Sequence, residues 1–157
     1  MIYVFDSSTL IDLFRYFYPS RFPSLWDKFG KAVDAQTIIS VREVYNEVTD
    51  KDDRLAEWAD ANEGFFHMPN SEGDEFRFVA QIFTVTHFQT LVRKQEQLQG
   101  KPVADPFVIA KAKVLHGCVV TEEVKKPHAS RIPNVCEHFG IDCLNLEGFM
   151  VRENWTF

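Results

Sequence analysis

The sequence predicts an α/β protein, a three-layer α/β/α sandwich around a parallel sheet of four or five strands. Three observations carry this expectation. Short, mainly apolar runs recur at 2–5, 37–40, 118–121 and 143–146, each of strand length. Stretches with helical spacing of apolar residues separate them, the alternation expected of parallel strands joined by helices. Acidic residues stand where strands hand over to helices, and in an open parallel sheet those strand ends share the edge where ligands bind.

The first run, Ile2-Tyr3-Val4-Phe5, is a strand. After it, Ser7 or Ser8 caps a helix with Leu10, Leu13, Phe14 and Phe17 on its apolar face. Tyr18-Pro19-Ser20 ends that helix. Pro23 fits the first position of a second, with Leu25, Trp26, Phe29 and Val33 on one face. This aromatic-rich pair reads as core, the alternative being an exposed stripe for a partner.

Strand 37–40 leads into a helix over about 42–48 and then into the acidic turn Asp50-Lys51-Asp52-Asp53. Leu55, Trp58 and Ala59 mark a short helix, and Ser71-Glu72-Gly73-Asp74 resembles a helix start. Val79, Ile82, Phe83, Phe88, Leu91 and Val92 keep helical spacing towards Leu98, with Gly100 as a stop. The β-branched cluster Thr84-Val85-Thr86 is the expected break in this helical arm of about 53–100. Asp105-Pro106 opens a helix that Gly117 closes. A polar loop with Lys125, Lys126, His128 and Arg131 follows strand 118–121, and Pro133 and Gly140 frame a short helix before the last strand. No internal repeat interrupts this order, and 1–157 reads as a single domain.

Composition narrows the class. Of 157 residues 45% are hydrophobic, with 15 Phe, so the chain can bury a core and disorder is excluded. No apolar run approaches the roughly 18 residues needed to cross a membrane. Asp6 and Asp12 interrupt any signal-peptide pattern. Cys118, Cys136 and Cys143 are odd in number and sit among apolar residues, which points to reduced thiols and a cytoplasmic setting. Zinc held by these with His116 and His138 is disfavoured, because no Cys-x-x-Cys pair occurs. The net charge of −6 is unevenly spread. Segment 34–75 has 12 acids and 3 bases, whereas 93–131 has 8 bases and 4 acids. A metal-binding cleft beside one basic surface therefore remains compatible with a phosphodiester partner.

The candidate site acids are Asp6, Glu43, Glu47, Asp105 and Glu123. Asp6 follows a buried strand, where a helix cap is the plain reading and a metal ligand the functional one. Glu43 and Glu47 stand four apart on one helix face, a like-charge pair that a cation would compensate. Asp105 is expected at a helix cap, and either Glu122 or Glu123 should turn inward while the other meets solvent. Converging carboxylates repel unless a cation joins them, and all-oxygen ligation suits Mg²⁺ or Mn²⁺.

The order and spacing of these acids resemble the PIN-domain nucleases, specifically the VapC-like toxins of bacterial toxin–antitoxin pairs. Val4-Phe5-Asp6-Ser7-Ser8-Thr9-Leu10 resembles the family's first motif, and Ser40 followed by Glu43 and Glu47-Val48 its second. Ala104-Asp105-Pro106-Phe107-Val108-Ile109-Ala110 resembles the third, and Val119-Val120-Thr121-Glu122-Glu123 the fourth. The likeness spans nearly the whole chain. Two departures stand out: Glu123 replaces the usual Asp, and the segment from about 57 to 100 is longer than in a minimal member.

The resemblance implies a metal-dependent endoribonuclease in which Asp6, Glu43 or Glu47, Asp105 and Glu123 hold one or two Mg²⁺ or Mn²⁺ ions. Ser8 and Thr121 would orient carboxylates or water. Lys111, Lys113, Lys125, Lys126 and Arg131 are the candidate RNA contacts, while His128 is a possible proton donor whose plainer reading is an ordinary loop histidine. An RNA substrate, a cognate antitoxin and a homodimer are the implied partners. The rivals are a non-catalytic PIN-like scaffold that binds RNA or protein, and a metal-dependent phosphatase.

Overall fold

The computed structural model describes residues 1–90 and 103–157. Five parallel strands form the middle layer: β1 (Tyr3–Phe5), β2 (Ile38–Val41), β3 (Phe66–His67), β4 (Cys118–Val120) and β5 (Asp142–Leu144). Their spatial order is β3-β2-β1-β4-β5. Tyr3 pairs with Ile38 on one side and with Cys118 on the other, so β1 lies at the centre. The chain steps outward from β1 to β2 and β3, then returns to the other side for β4 and β5. The connections leaving β1 and reaching β4 thus diverge, which opens a crevice at their carboxyl ends.

Eight helices among the described residues cover the sheet. They are α1 (Ser7–Tyr16), α2 (Pro23–Asp34), α3 (Arg42–Val48), α4 (Arg54–Ala61), α5 (Asp74–Thr84), α6 (Ala104–Val114), α7 (Ile132–Phe139) and α8 (Leu146–Arg152). Alternation along β1 sends Tyr3 and Phe5 to one face, where both meet Phe149 of α8 edge-on. The intervening Val4 and its neighbours Ile39 and Val119 are buried under the opposite layer. Phe14 of α1 and Phe29 of α2 are core, and with Trp26, Trp58 and Phe65 they form one cluster of edge-to-face and tilted rings, whereas Tyr16 at the end of α1 is exposed.

Among the described residues, sequence and structure diverge most between 53 and 90. The expected helical arm is broken by β3, a two-residue strand that joins β2 with Ser40 opposite Phe66. Two residues carry no period, so this strand left no pattern to read. Helix α5 does end at Thr84, at the expected break, and a 3₁₀ turn follows over Thr86–Gln89. Leu91, Val92, Leu98 and Gly100 lie outside the described residues. Gly117 closes α6 as expected, its N–H donating to the Ala112 carbonyl at 2.8 Å beside left-handed His116, and it also matters for packing. A Cβ there would stand 2.5 Å from the carbonyl oxygen of Ile2, which accepts from Cys118 N–H at 2.9 Å to start the β1–β4 pairing.

Candidate active site

Asp6 leaves β1 at the crevice and is 2% exposed. It occupies the N-cap position of α1, yet its side chain caps nothing. Instead Oδ2 accepts from Ser8 Oγ at 2.8 Å and from Thr121 Oγ1 at 3.0 Å. Ser7 Oγ approaches Oδ1 at 3.4 Å. Thr121, just past β4, is itself buried, and its hydroxyl also accepts from Glu123 N–H at 3.1 Å. Ser8 Oγ in turn accepts from Glu122 N–H at 3.0 Å. Ser8 and Thr121 thus stitch the ends of β1 and β4 together and fix the Asp6 carboxylate between them. Both had been expected to orient a carboxylate.

Glu47 comes to this edge from α3. Its Oε1 accepts from the backbone N–H of Ala104 at 3.2 Å, tying it to the first residue of α6. Burial raises its carboxyl pKa, and the charges of Asp6 and Glu123 add to that, against the lowering effect of hydrogen bonds from Ser7 and Ala104. The charges of Asp6 and Glu123, from distant parts of the chain, thus both reach Glu47. Asp105 follows Ala104 and so begins on the same edge. It is the second residue of α6, with Val103 at the N-cap, rather than the cap expected from Asp105-Pro106.

Glu122 and Glu123 do not divide into one inward and one solvent-facing residue. Glu122 Oε1 accepts from Leu146 N–H at 2.6 Å, at the start of α8. Glu123 Oε2 accepts from Ile132 N–H at 2.8 Å, at the start of α7. A carboxylate at a helix start satisfies an orphan donor and meets the positive end of the dipole. The length of Glu over Asp lets residue 123 reach that helix from the strand end.

Glu43 belongs elsewhere. It is 2% exposed, its Oε1 sits 3.3 Å from Arg42 Nη2, and its Oε2 is buried without a hydrogen-bond partner among the described residues. It lines a small gap with His67, Glu75 and Lys111 rather than the crevice holding Asp6. Four-residue spacing put both glutamates on one helix face, yet their carboxylates find different partners, Glu43 beside Arg42 and Glu47 at the Ala104 N–H. Glu43 is not surface charge: it is buried beside Arg42 and the gap that holds Lys111.

Lys111, expected at a surface for RNA, is buried instead. Its ammonium is buried, donating to Glu75 Oε1 at 2.5 Å and to the Met68 carbonyl at 2.9 Å. Burial opposes ionisation of Glu75, but Lys111 and Asn70 N–H hold its carboxyl below the ordinary range. Lys113 is exposed but stands in the last turn of α6, which leads to the amino end of β4, away from the acids. Lys125 is ion-paired with Glu137, Lys126 is exposed, and Arg131 donates to the Val124 carbonyl at 3.2 Å. His128 sits exposed in the same loop in a left-handed conformation. The contributions of Ser7 and of the Ala104 backbone were missed, since neither residue type marks such a role by itself.

A cavity of about 520 Å³ opens beside the acids, lined by Thr121, Glu122, Glu123 and Cys143 among others. No three His, Cys, Asp or Glu side chains among the described residues stand at metal-ligand spacing. The donor set is nonetheless all carboxylate and hydroxyl oxygen, with Glu47 held partly against its own ionisation, the chemistry a hard divalent cation would relieve. All three cysteines are free thiols. No described helix is long and apolar enough to cross a membrane.

The model of the family described as a domain of unknown function (DUF4411) matches residues 3–157. No curated protein matches the chain. Among solved structures, the chain is similar to VapBC2 from Rickettsia felis bound to a DNA fragment from their promoter. The TM-score is 0.51 at 13% identity, over 92% of this chain and 98% of that one. A likeness at this identity speaks for the fold, and the fold is the PIN-like α/β/α sandwich that the motifs implied.

Proposed function

We propose that this chain, which belongs to the DUF4411 family, is a metal-dependent endoribonuclease and the toxin of a toxin–antitoxin pair. The carrying observation is that the Asp6 carboxylate is buried and held by Ser8 and Thr121 where β1 and β4 end side by side, while Glu47 is tied by Ala104 N–H to the start of the helix that carries Asp105. Asp105 starts on that edge beside Ala104. Asp6, Glu47, Asp105 and Glu123 would hold Mg²⁺ or Mn²⁺. The chemistry such an ion supplies when bound is activation of water and neutralisation of charge at the phosphodiester.

The chain's own part is to place charge. Ser8 and Thr121 fix one oxygen of Asp6, and Ala104 N–H fixes one oxygen of Glu47, so neither carboxylate has to reorganise to bind a cation. No side-chain nucleophile is required. An antitoxin is proposed as a partner because the similar fold occurs in a VapBC2 complex, and a second copy of the chain is proposed from the motif resemblance alone.

The non-catalytic scaffold reading draws on Glu123, whose carboxylate already caps α7. One experiment separates the two. Structured RNA incubated with the protein should be cut with Mg²⁺ or Mn²⁺ and left intact with EDTA, and Asp6→Asn should abolish cutting while keeping the fold. Intact RNA under every condition, or equal cutting by wild type and Asp6→Asn, would hand the chain to the scaffold reading.

A further inference from the structure

Two cavities adjoin the acid group, and their charges differ in sign. The one beside Glu123 is lined by Glu122, Glu137 and Asp142, with Lys125 as its only base among the described residues. The other, about 270 Å³, has three bases in its wall, Arg15, Lys51 and Arg54, against two acids, Glu47 and Asp53, and Asp53 is engaged in capping α4 through Ala56 N–H. The bases come from the end of α1, from the α3–α4 loop and from the first position of α4. Lys51 and Arg54 are two of only three bases between 34 and 75, so this segment reads as acidic in one dimension. Folding gathers its cations with Arg15 from another part of the chain.

We infer that this cationic cavity is the subsite for a backbone phosphate of the RNA strand next to the bond being cut. The assignment rests on the nuclease reading above. Arg54 is already placed: its guanidinium donates to the Phe14 carbonyl and lies 5.5 Å from the Phe14 ring centroid and 5.8 Å from that of Trp26. A stacked, anchored guanidinium keeps donors to spare for phosphate and loses little freedom on binding. Arg15 and Lys51 are exposed and enter no ion pair among the described residues. The apolar floor of Ile11, Phe14 and Leu55 excludes water on one side, which strengthens a charge contact there. A polyanion approaching a carboxylate cluster takes the side where cations offset the repulsion, and Glu47 joins that side directly to the acids.

The test uses fluorescence anisotropy of labelled single-stranded RNA on an Asp6→Asn background between 50 and 200 mM salt. Arg15→Gln with Lys51→Gln should weaken binding about tenfold or more, and the log–log salt slope should fall by roughly 0.7 per lost contact. Circular dichroism checks that the pair of substitutions leaves the fold intact, and Arg54 is left in place because it also packs the core. Cleavage with Mg²⁺ is followed in parallel on the chain with Asp6 intact. Unchanged affinity and slope while wild type still cuts RNA would overturn the subsite alone. So would a larger loss from Lys125→Gln with Lys126→Gln. Failure of the wild type to cut would sink the nuclease reading and this assignment with it.

Discussion

The backbone N–H of Ala104 reaches Glu47 Oε1 at 3.2 Å, linking residues 57 positions apart. Because Asp105 follows Ala104, this bond fixes two of the motif acids relative to each other through a main-chain donor rather than through charge. It also distinguishes Glu47 from Glu43, whose carboxylate lies in a separate buried gap. Glu47→Gln should therefore lower metal-dependent cleavage by on the order of 100-fold or more. Glu43→Gln should leave it within several-fold. Single-turnover cleavage of both variants checks this, and a larger defect in Glu43→Gln would reverse the assignment.

Thr121→Val tests the stitching of the site. The substitution keeps shape but removes the donor to Asp6 and the acceptor for Glu123 N–H, leaving buried groups unsatisfied. Stability should fall by about 1–3 kcal/mol. Cleavage should drop roughly 10–100-fold, as for an outer partner of a ligand. Thr121→Ser keeps both bonds and should recover most of the activity. Equal loss in the two variants would show that the methyl group, not the hydroxyl, is what matters.

Lys111 and Glu75 form a buried pair that reads as structural. Lys111→Met leaves a buried carboxylate without its cation and should cost about 3–5 kcal/mol in urea denaturation. Lys111→Met combined with Glu75→Leu should recover much of that loss. RNA affinity of the double variant should match the parent. A folded Lys111→Met protein with weakened RNA binding would return Lys111 to the interface.

Most strands and helices were legible because their apolar periods are strong: Pro23 began α2, Gly140 closed α7, and α3 ran over 42–48 as expected. The acids were legible by position, following strand ends or opening a helix. What could not be read was direction. Four-residue spacing treats Glu43 and Glu47 alike, and only the packing of α3 against α6 sends one to Asp6 and the other to Lys111. Charge along the chain misled for the same reason. Lys111 lies in the basic segment yet is buried, while Lys51 and Arg54 lie in the acidic one and face the cavity beside Glu47.

Glu47 also ties stability to pH and to metal. Burial, then the charges of Asp6 and Glu123, raise its carboxyl pKa above the ordinary 4.5. Well below that value Glu47 is protonated in both folded and unfolded chains and contributes no difference. As pH rises from 4.5 through the folded value, the unfolded chain releases its proton first. The folded state is then progressively penalised, and the penalty is constant above that window. Wild type should accordingly melt at the same temperature as Glu47→Gln near pH 4 but below it at pH 7. For about 1 kcal/mol of relief the gap is roughly 2–4 °C in a chain of this size. Comparing with the variant cancels Glu75, Asp74 and Asp142, whose lowered values act in the opposite sense. Saturating Mn²⁺ binds the folded state and should raise the wild-type melting temperature more than that of Glu47→Gln, closing or inverting the gap at pH 7. Thermal melts at the two pH values, with and without Mn²⁺, decide the matter. A variant that melts below wild type at pH 7 without metal would show that the hydrogen bonds of Glu47 outweigh the repulsion it feels.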